Sequence, residues 1–388
     1  MFVKPLLKLM SDKQASDLFF TSGAPIQIKI NGVVMPINEQ SLDPEQVKKI
    51  CYEMMNEPQI KEFETRHEMN FAQSEGDLGN FRVNIFRQKN NVAMVIRFVK
   101  PEVPPFDSLH LPPILKEVIM EKLGLVLVVG STGSGKSTTM AAMIDHRNTI
   151  KTGHILTIED PIEFMFKHKK SIVNQREVRI DTHTYENALI SAMREAPDLL
   201  MIGEVRDRPT LQSALLFAQT GHLCLTTLHA NNSYNALNRI INFFPRDARE
   251  SLLADLSIAL RCVISQRLIR TVDGSRIAAV EVLLNTKHIQ ELIKDGEIGQ
   301  IKDAIDQSMA PGSQSFEQAL YQLYLGGTVT LDEAMANADS PTNLHWLVNN
   351  APRVSTAQAA PAAADPPMGT KPTAGDFADI KLNLDALG

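Results

Sequence analysis

Residues 130–137 read Gly-Ser-Thr-Gly-Ser-Gly-Lys-Ser and match the phosphate-loop pattern Gly-x-x-x-x-Gly-Lys-Ser. The apolar run 123–129 before the loop predicts a buried strand, and residues 138–144 after it predict a helix. This strand–loop–helix order is the context in which the pattern binds phosphate. Glycines let backbone N–H groups turn inward around the phosphates, and the start of the helix adds the positive end of its dipole. The loop therefore predicts a nucleotide site in a fold of alternating strands and helices.

Two side chains of the loop have expected roles in binding ATP and Mg²⁺. We expect Lys136 to reach the β- and γ-phosphates and Ser137, the predicted metal ligand, to offer its hydroxyl to Mg²⁺. A glycine-rich turn with a chance Lys-Ser is the alternative, but the flanking strand and helix argue against it. The predicted nucleotide-binding residues are Gly130, Ser131, Thr132, Gly133, Ser134, Gly135, Lys136, Ser137 and Thr138.

The composition is that of a globular protein with a mildly acidic balance. The formal net charge of −6 at pH 7 gives no electrostatic case for binding nucleic acid. The apolar runs are too short to span a bilayer, and Lys4 and Lys8 interrupt the apolar start, so no signal peptide is expected. Cys51, Cys224 and Cys262 form no Cys-x-x-Cys pair and are interpreted as buried thiols in a reducing cytosol.

Turn signals and periodicity divide the chain into predicted segments. Residues 1–100 are predicted to form a small α+β domain, with helices at 2–14 and 44–63 and hairpins around Asn31-Gly32 and Asn90-Asn91. A proline-containing linker is expected at 101–115, followed by alternating strands and helices over 116–348. After Arg246 we expect mostly helices, with one hairpin around Asp273-Gly274.

The end of the chain, residues 349–388, is predicted to be a disordered tail because its Ala/Pro-rich part contains almost nothing to bury. Residues 376–387 carry a few apolar side chains that share a face either as a helix or as a strand. The segment is therefore either a tethered docking motif or a disordered end with stray apolar residues.

Acidic residues follow two of the predicted core strands. Glu204 ends one, where a carboxylate can orient and polarise an attacking water, and a solvated glutamate is the alternative. Gly203 precedes it where a Mg²⁺-holding Asp is usual, so the metal is expected to depend on Ser137, the phosphates and water. Glu159, Asp160 and Glu163 crowd the end of the other strand, and a nearby cation would relieve their repulsion. They are interpreted as assisting residues, or else as a solvated turn.

Three further side chains are candidates by position. His229 ends the predicted strand 223–227, where it is either a γ-phosphate sensor or a structural histidine. Arg82 and Arg97 lie on adjacent predicted strands of the first domain. They are either surface arginines or a guanidinium pair that reaches transition-state charge across a cleft between domains.

Four elements in a fixed order carry a family resemblance: the loop 130–137, the acidic box 158–164, the segment Ile202-Gly203-Glu204-Val205-Arg206 and the histidine box 221–229. Together they resemble the secretion ATPase superfamily. Ala15-Ser16-Asp17-Leu18 and Phe81-Arg82-Val83-Asn84 are similar to its pilus retraction branch, the PilT/PilU family. The resemblance covers about residues 1–345.

Within that branch the chain is more similar to PilU-type members, through residues 221–232, 240–245 and 315–321. PilT-type members carry an Ala-Ile-Arg-Asn-Leu-Ile-Arg-Glu helix that is tied to retraction. Here the corresponding residues 288–295 read His-Ile-Gln-Glu-Leu-Ile-Lys-Asp, so the Arg and Asn are missing. This departure favours an accessory motor that depends on a PilT-like partner for retraction.

The resemblance implies a PAS-like first domain, a RecA-like second domain and a homohexameric ring that hydrolyses ATP to power type IV pilus retraction and twitching motility. It implies a cytoplasmic enzyme, peripheral to the membrane at the inner-membrane base of the pilus, with a PilT-like ATPase and a pilus platform protein as partners. By motif, Lys136 and Ser137 bind phosphate and Mg²⁺, and Glu204 is the catalytic carboxylate. The remaining candidates carried over are Glu159, Asp160, Glu163, His229, Arg82 and Arg97.

Three other functions remain open from the sequence. A pilus assembly ATPase is disfavoured because the chain lacks the long extra N-terminal domain and the tetracysteine zinc insertion of such enzymes. A non-hydrolysing ATP-binding adaptor of the pilus motor is separated from an enzyme by its lack of turnover. A nucleic-acid motor is disfavoured by the acidic balance and by the lack of a basic, aromatic-laced stretch.

Overall fold

The computed structural model describes residues 2–30, 32–99 and 103–350. The chain divides into two compact units with the boundary at residues 101–102. The predicted docking motif at 376–387 lies outside the described residues. No helix among the described residues is long and apolar enough to cross a membrane.

The N-terminal unit packs helices against one face of a six-stranded antiparallel sheet of order β3-β2-β1-β6-β5-β4. The alternation along strand β5 explains why only one face is covered. Phe81, Val83 and Ile85 are buried, while Arg82 and Asn84 alternate with them on the other face. The elements are α1 (Lys4–Asp12), β1 (Asp17–Phe20), β2 (Gln27–Ile30), β3 (Val33–Pro36), α2 (Pro44–Glu53), α3 (Glu57–Arg66), β4 (Glu68–Ser74), β5 (Asn80–Gln88) and β6 (Asn91–Val99).

The single helix predicted over residues 44–63 is wrong, since two helices occupy this region. Asn56 begins the second helix with a capping box. The Asn56 side chain accepts from the Gln59 backbone N–H, and the Gln59 side chain accepts from the Asn56 backbone N–H. Pro58 stands in the first turn, where its missing N–H costs nothing, whereas inside one long helix it would remove a hydrogen bond.

The second unit is built on a seven-stranded, mainly parallel sheet of order β13-β12-β7-β11-β10-β8-β9. Its elements are α4 (Ile114–Val118), β7 (Gly124–Val129), α5 (Lys136–Ile150), β8 (Gly153–Glu159), β9 (Ser171–Glu177), α6 (Tyr185–Ala192), β10 (Leu199–Ile202), α7 (Arg208–Gln219), β11 (Leu223–Leu228), α8 (Ser233–Asn242), α9 (Arg249–Ala259), β12 (Leu260–Arg270), β13 (Arg276–Leu284), α10 (Lys287–Lys294), α11 (Ile301–Asp306), α12 (Phe316–Leu325), α13 (Leu331–Asn337) and α14 (Pro341–Asn350). An α+β unit followed by this α/β unit confirms the predicted fold class.

The sheet is covered on both faces, which is why its central strands are apolar throughout. Every residue of β7 is buried. Leu125 and Leu127 belong to the core on one face, and Val126 and Val128 pack with α5 on the other. Phe106, from the predicted linker 101–115, is buried in this second cluster as well.

After Arg246 the described chain forms helices and one hairpin, as the sequence predicts. The hairpin around Asp273-Gly274 is formed by β12 and β13, and β12 pairs in parallel with β7, the strand that leads into the phosphate loop. Helices α12 to α14 pack on this hairpin around their own small core, which includes Phe316, Leu320 and Leu344. The hairpin therefore links the loop strand to the last helices of the described chain.

Candidate active site

The phosphate loop connects the end of β7 to the start of α5 and needs glycine at both ends. Gly135 is the N-cap of α5 with φ of 89°, a left-handed conformation that residues with a Cβ rarely adopt. A Cβ on Gly130 would also lie 2.4 Å from the Ser134 hydroxyl oxygen. The pattern of the motif thus follows from the tight turn that the strand and the helix impose.

Lys136 is folded over the loop that precedes it. Its ammonium Nζ donates to the carbonyl oxygens of Gly130 and Ser131, both at 2.9 Å, and the residue is buried. Burial lowers the pKa of Lys136, while the negative charges of Glu204 and Glu163 oppose that shift. The cation is therefore held beside two carboxylates at the position where phosphate is expected.

A cleft of about 590 Å³ opens beside the loop. It brings together candidates from four separate stretches of the chain, because the carboxyl ends of parallel strands meet at one edge of the sheet. Of the predicted site residues, those that line the cleft are Thr132, Gly133, Gly135, Lys136, Ser137, Thr138, Glu159, Asp160, Glu163, Glu204 and His229. Gly130, Ser131 and Ser134 belong to the same loop but are not among the lining residues.

Glu204 is held by two groups, one at each carboxylate oxygen. Arg206 Nε donates to Oε2 at 2.7 Å, and His229 Nε2 lies 3.2 Å from Oε1. The contact with His229 arises because β10 and β11 pair in parallel, which brings the residues after both strand ends together. The carboxylate is thus held in a fixed orientation in the wall of the cleft, as an acid–base group needs to be.

Gly203 has a steric reason for lacking a side chain. A Cβ there would lie 2.9 Å from the Tyr185 hydroxyl and 3.3 Å from the Glu159 Cα. An aspartate at this place would therefore require Tyr185 to move. This crowding fits the expectation that a bound Mg²⁺ depends on the Ser137 hydroxyl, a hard oxygen ligand in the first turn of α5.

The acidic residues at the end of β8 have different surroundings. Glu159 is buried and accepts from Thr157 Oγ1 at 2.7 Å, and burial raises its pKa to about 7. Asp160 accepts from Arg179 Nη2 at 2.7 Å and lies 3.8 Å from Arg206 Nη1. These acids line one cleft, and the described residues contain no group of three or more His, Cys, Asp or Glu that could hold a metal ion.

Arg82 and Arg97 lie in the N-terminal unit and face each other as direct partners of β5 and β6. Arg97 Nε donates to Asp17 Oδ1 at 2.8 Å, and Asp17 is itself the opposite residue on β1. Arg97 is mostly exposed, whereas Asp17 is buried. The structure thus gives Arg97 an ion pair within its own unit.

Comparison with protein-family models identifies the family of the chain. The model described as Type II/IV secretion system protein matches residues 1–336. The chain belongs to this family. Among relatives in the family, the type IV pilus ATPase PilU of Pseudomonas aeruginosa is 49% identical over 344 residues, which cover 88% of this chain and 90% of that protein. The type IV pilus retraction ATPase PilT of the same organism is 39% identical, with 88% and 100% covered.

A solved structure of the family shares the fold. The crystal structure of the pilus retraction motor PilT with bound ADP matches with a TM-score of 0.81 and 40% identity, and the match covers 88% of this chain and 98% of that one. As a member of the secretion family with this phosphate loop, the chain is a P-loop ATPase.

Three residues that shape the site have no role that the sequence predicts. Arg206 belongs to a family motif, and Tyr185 begins α6. Gln266 lies on β12, a strand of the predicted hairpin whose pairing with β7 the sequence does not predict. Gln266 contacts both the loop and α5. The Ser-Gln pair at 265–266 carries no local signal, since only the parallel pairing of β12 with β7 brings it to the loop.

Proposed function

We propose that this ATPase powers retraction of a type IV pilus as an accessory motor that works with a PilT-like partner. The observation that carries the proposal is the cleft in which Lys136, Glu204 and His229 meet, in a chain that is 49% identical to a PilU ATPase. The proposal includes assembly into a homohexamer in the cytoplasm, at an inner-membrane platform protein and peripheral to the membrane.

The residues of the cleft have distinct proposed tasks. Lys136 leaves the loop carbonyls and binds the β- and γ-phosphates of ATP. Glu204 orients the attacking water and accepts its proton, while Arg206 and His229 fix the direction of the carboxylate. Ser137 would hold Mg²⁺, which when bound neutralises charge on the phosphates.

The other candidates take supporting tasks. His229 lines the cleft beside Glu204 and senses the γ-phosphate. Glu159, Asp160 and Glu163 assist by shaping the field around phosphate and water. Arg82 and Arg97 supply positive charge to the transition state, within one subunit or between neighbours.

Helix α10 supports dependence on a partner. It covers the segment that differs from the PilT-type pattern, and Ile289, Leu292 and Ile293 are buried, so the helix is retained in the core. His288 stands on its exposed side. The fold of the helix is thus kept, while the Arg and Asn tied to retraction are absent.

The test measures ATP turnover of the purified chain alone and with a PilT-like partner, and pili on cells that lack the gene. We expect turnover in vitro, and deletion should leave pili on the surface with impaired twitching that wild type restores and Glu204→Gln does not. Nucleotide binding without phosphate release would instead favour the adaptor. Loss of surface pili on deletion would favour the assembly ATPase.

A further inference from the structure

Gln266 ties the phosphate loop to the rest of the sheet, although it is remote from the loop in sequence. The residue is 2% exposed. The amide Nε2 donates to the Ser134 carbonyl oxygen at 2.9 Å, and the amide Oε1 accepts from Thr139 Oγ1 at 2.7 Å. Because donor and acceptor are both engaged, the orientation of the amide is fixed.

The bond to Ser134 sets the direction of a loop N–H. In a trans peptide the C=O of one residue and the N–H of the next point in opposite directions. Gln266 holds the Ser134 carbonyl on the buried side, so the Gly135 N–H is directed the other way. Gly135 lines the cleft, and an N–H with this direction suits binding of phosphate.

The fit between the loop and this strand is close at both ends of the motif. A Cβ on Gly130 would lie 2.5 Å from the Gln266 carbonyl oxygen, and a Cβ on Gly135 would lie 2.7 Å from Gln266 Nε2. The second bond, from Thr139, anchors the same amide to the first turns of α5. One buried side chain thus joins the last part of the loop to the helix that follows it.

We propose that Gln266 is a positioning residue for nucleotide binding, acting through the Ser134–Gly135 peptide and not by contact with the nucleotide. The described residues that line the cleft include Gly135 but not Gln266. This inference rests on the proposed use of the loop for ATP, and it adds a determinant from the C-terminal half of the chain. Without the amide, the buried Ser134 carbonyl loses its partner and the loop N–H loses its fixed direction.

The test replaces Gln266 by Met, which keeps the size of the side chain and removes both hydrogen bonds. We expect Gln266→Met to weaken ADP binding by about 10-fold. The KM for ATP should rise by a similar factor while kcat changes by less than about 3-fold, because these contacts already exist in the ground state. ADP is titrated in the presence of Mg²⁺, and thermal unfolding without nucleotide checks that each variant is folded.

Two further variants separate positioning from packing. Thr139→Val removes the second bond to the amide and should weaken ADP binding in the same direction by a smaller factor. Gln314→Met is the matched control, because Gln314 Nε2 donates to the Val280 carbonyl oxygen at 2.7 Å outside the cleft. It should leave ADP binding unchanged.

The inference is overturned if folded Gln266→Met binds ADP as wild type does, or if Gln314→Met loses as much affinity. If Gln266→Met does not fold, the inference is overturned when folded Thr139→Val binds ADP as wild type does. A wild-type chain that binds ADP but does not hydrolyse ATP contradicts the proposed function and leaves this test intact.

Discussion

The two sheets of the chain place their polar side chains in opposite ways. In the antiparallel sheet, polar residues alternate with core residues along a strand, so Arg82 and Asn84 spread over one face. In the mainly parallel sheet, the central strands β7 and β11 bury every residue, and Glu159 and Glu204 lie where β8 and β10 end. The first arrangement distributes charge over a surface, and the second concentrates it in one cleft.

This difference explains what the polar groups contact. On the antiparallel sheet they pair with the neighbouring strand, as Asn84 Nδ2 does with Asn70 Oδ1 at 2.7 Å and Arg97 does with Asp17. At the ends of the parallel strands, Glu204 contacts residues from its own loop and from the end of β11. Groups from different strands therefore act on one point, which is what catalysis needs.

The largest effect is expected from Glu204→Gln, which keeps the shape of the side chain and removes the base. Turnover should fall on the order of 10²–10⁴-fold while ATP stays bound. Phosphate release and nucleotide titration measure the two quantities, and Glu250→Gln, an exposed glutamate on α9, is the control. Turnover at the wild-type rate would move the role of base to Glu159, Asp160 or Glu163.

Lys136→Ala should remove tight ATP binding, because this ammonium lies in the loop beside two carboxylates. Loss of its charge-assisted bonds to phosphate should cost about 2–5 kcal/mol, more than 10-fold in affinity. Titration with ATP checks this against Lys122→Ala, an exposed lysine before β7. Equal affinity in both variants would place the nucleotide outside the loop.

Much of the cleft could be predicted from the sequence, because its residues follow the ends of parallel strands. A phosphate loop and acids after apolar runs are local signals, and parallel pairing brings them together without further information. Gln266 and Tyr185 could not be predicted in this way, because their roles arise from contacts between distant segments. The pairing of Asp17 with Arg97 across two strands was missed for the same reason.

The arginines test whether the antiparallel sheet takes part in the chemistry. Arg82→Ala and Arg97→Ala should each lower turnover, about 10²-fold for loss of one transition-state donor, with much less effect on ATP affinity. Asp17→Asn breaks the ion pair but leaves Arg97 in place, so it should keep most of the turnover. If Asp17→Asn and Arg97→Ala lose the same activity, the ion pair explains Arg97 and its catalytic assignment is wrong.

The smallest effect concerns the buried carboxyl of Glu159, whose pKa burial raises to about 7. A raised pKa means that the folded state holds this proton more tightly than the unfolded chain does. The stability it provides is complete below the usual value of 4.5 and is lost as the pH rises through about 7.

Between about pH 5.5 and pH 8, wild type should therefore lose about 2 kcal/mol of unfolding free energy that Glu159→Gln does not lose. Urea unfolding of both proteins at the two pH values isolates this difference, because other titrating groups are common to both. The exposed Glu250→Gln should keep the wild-type pH dependence. Equal pH dependence in Glu159→Gln and wild type would mean that Glu159 is already ionised in the folded protein. Burial of the carboxyl at the end of β8 would then not change its ionisation, and Glu159 would titrate like a carboxylate on an exposed sheet face.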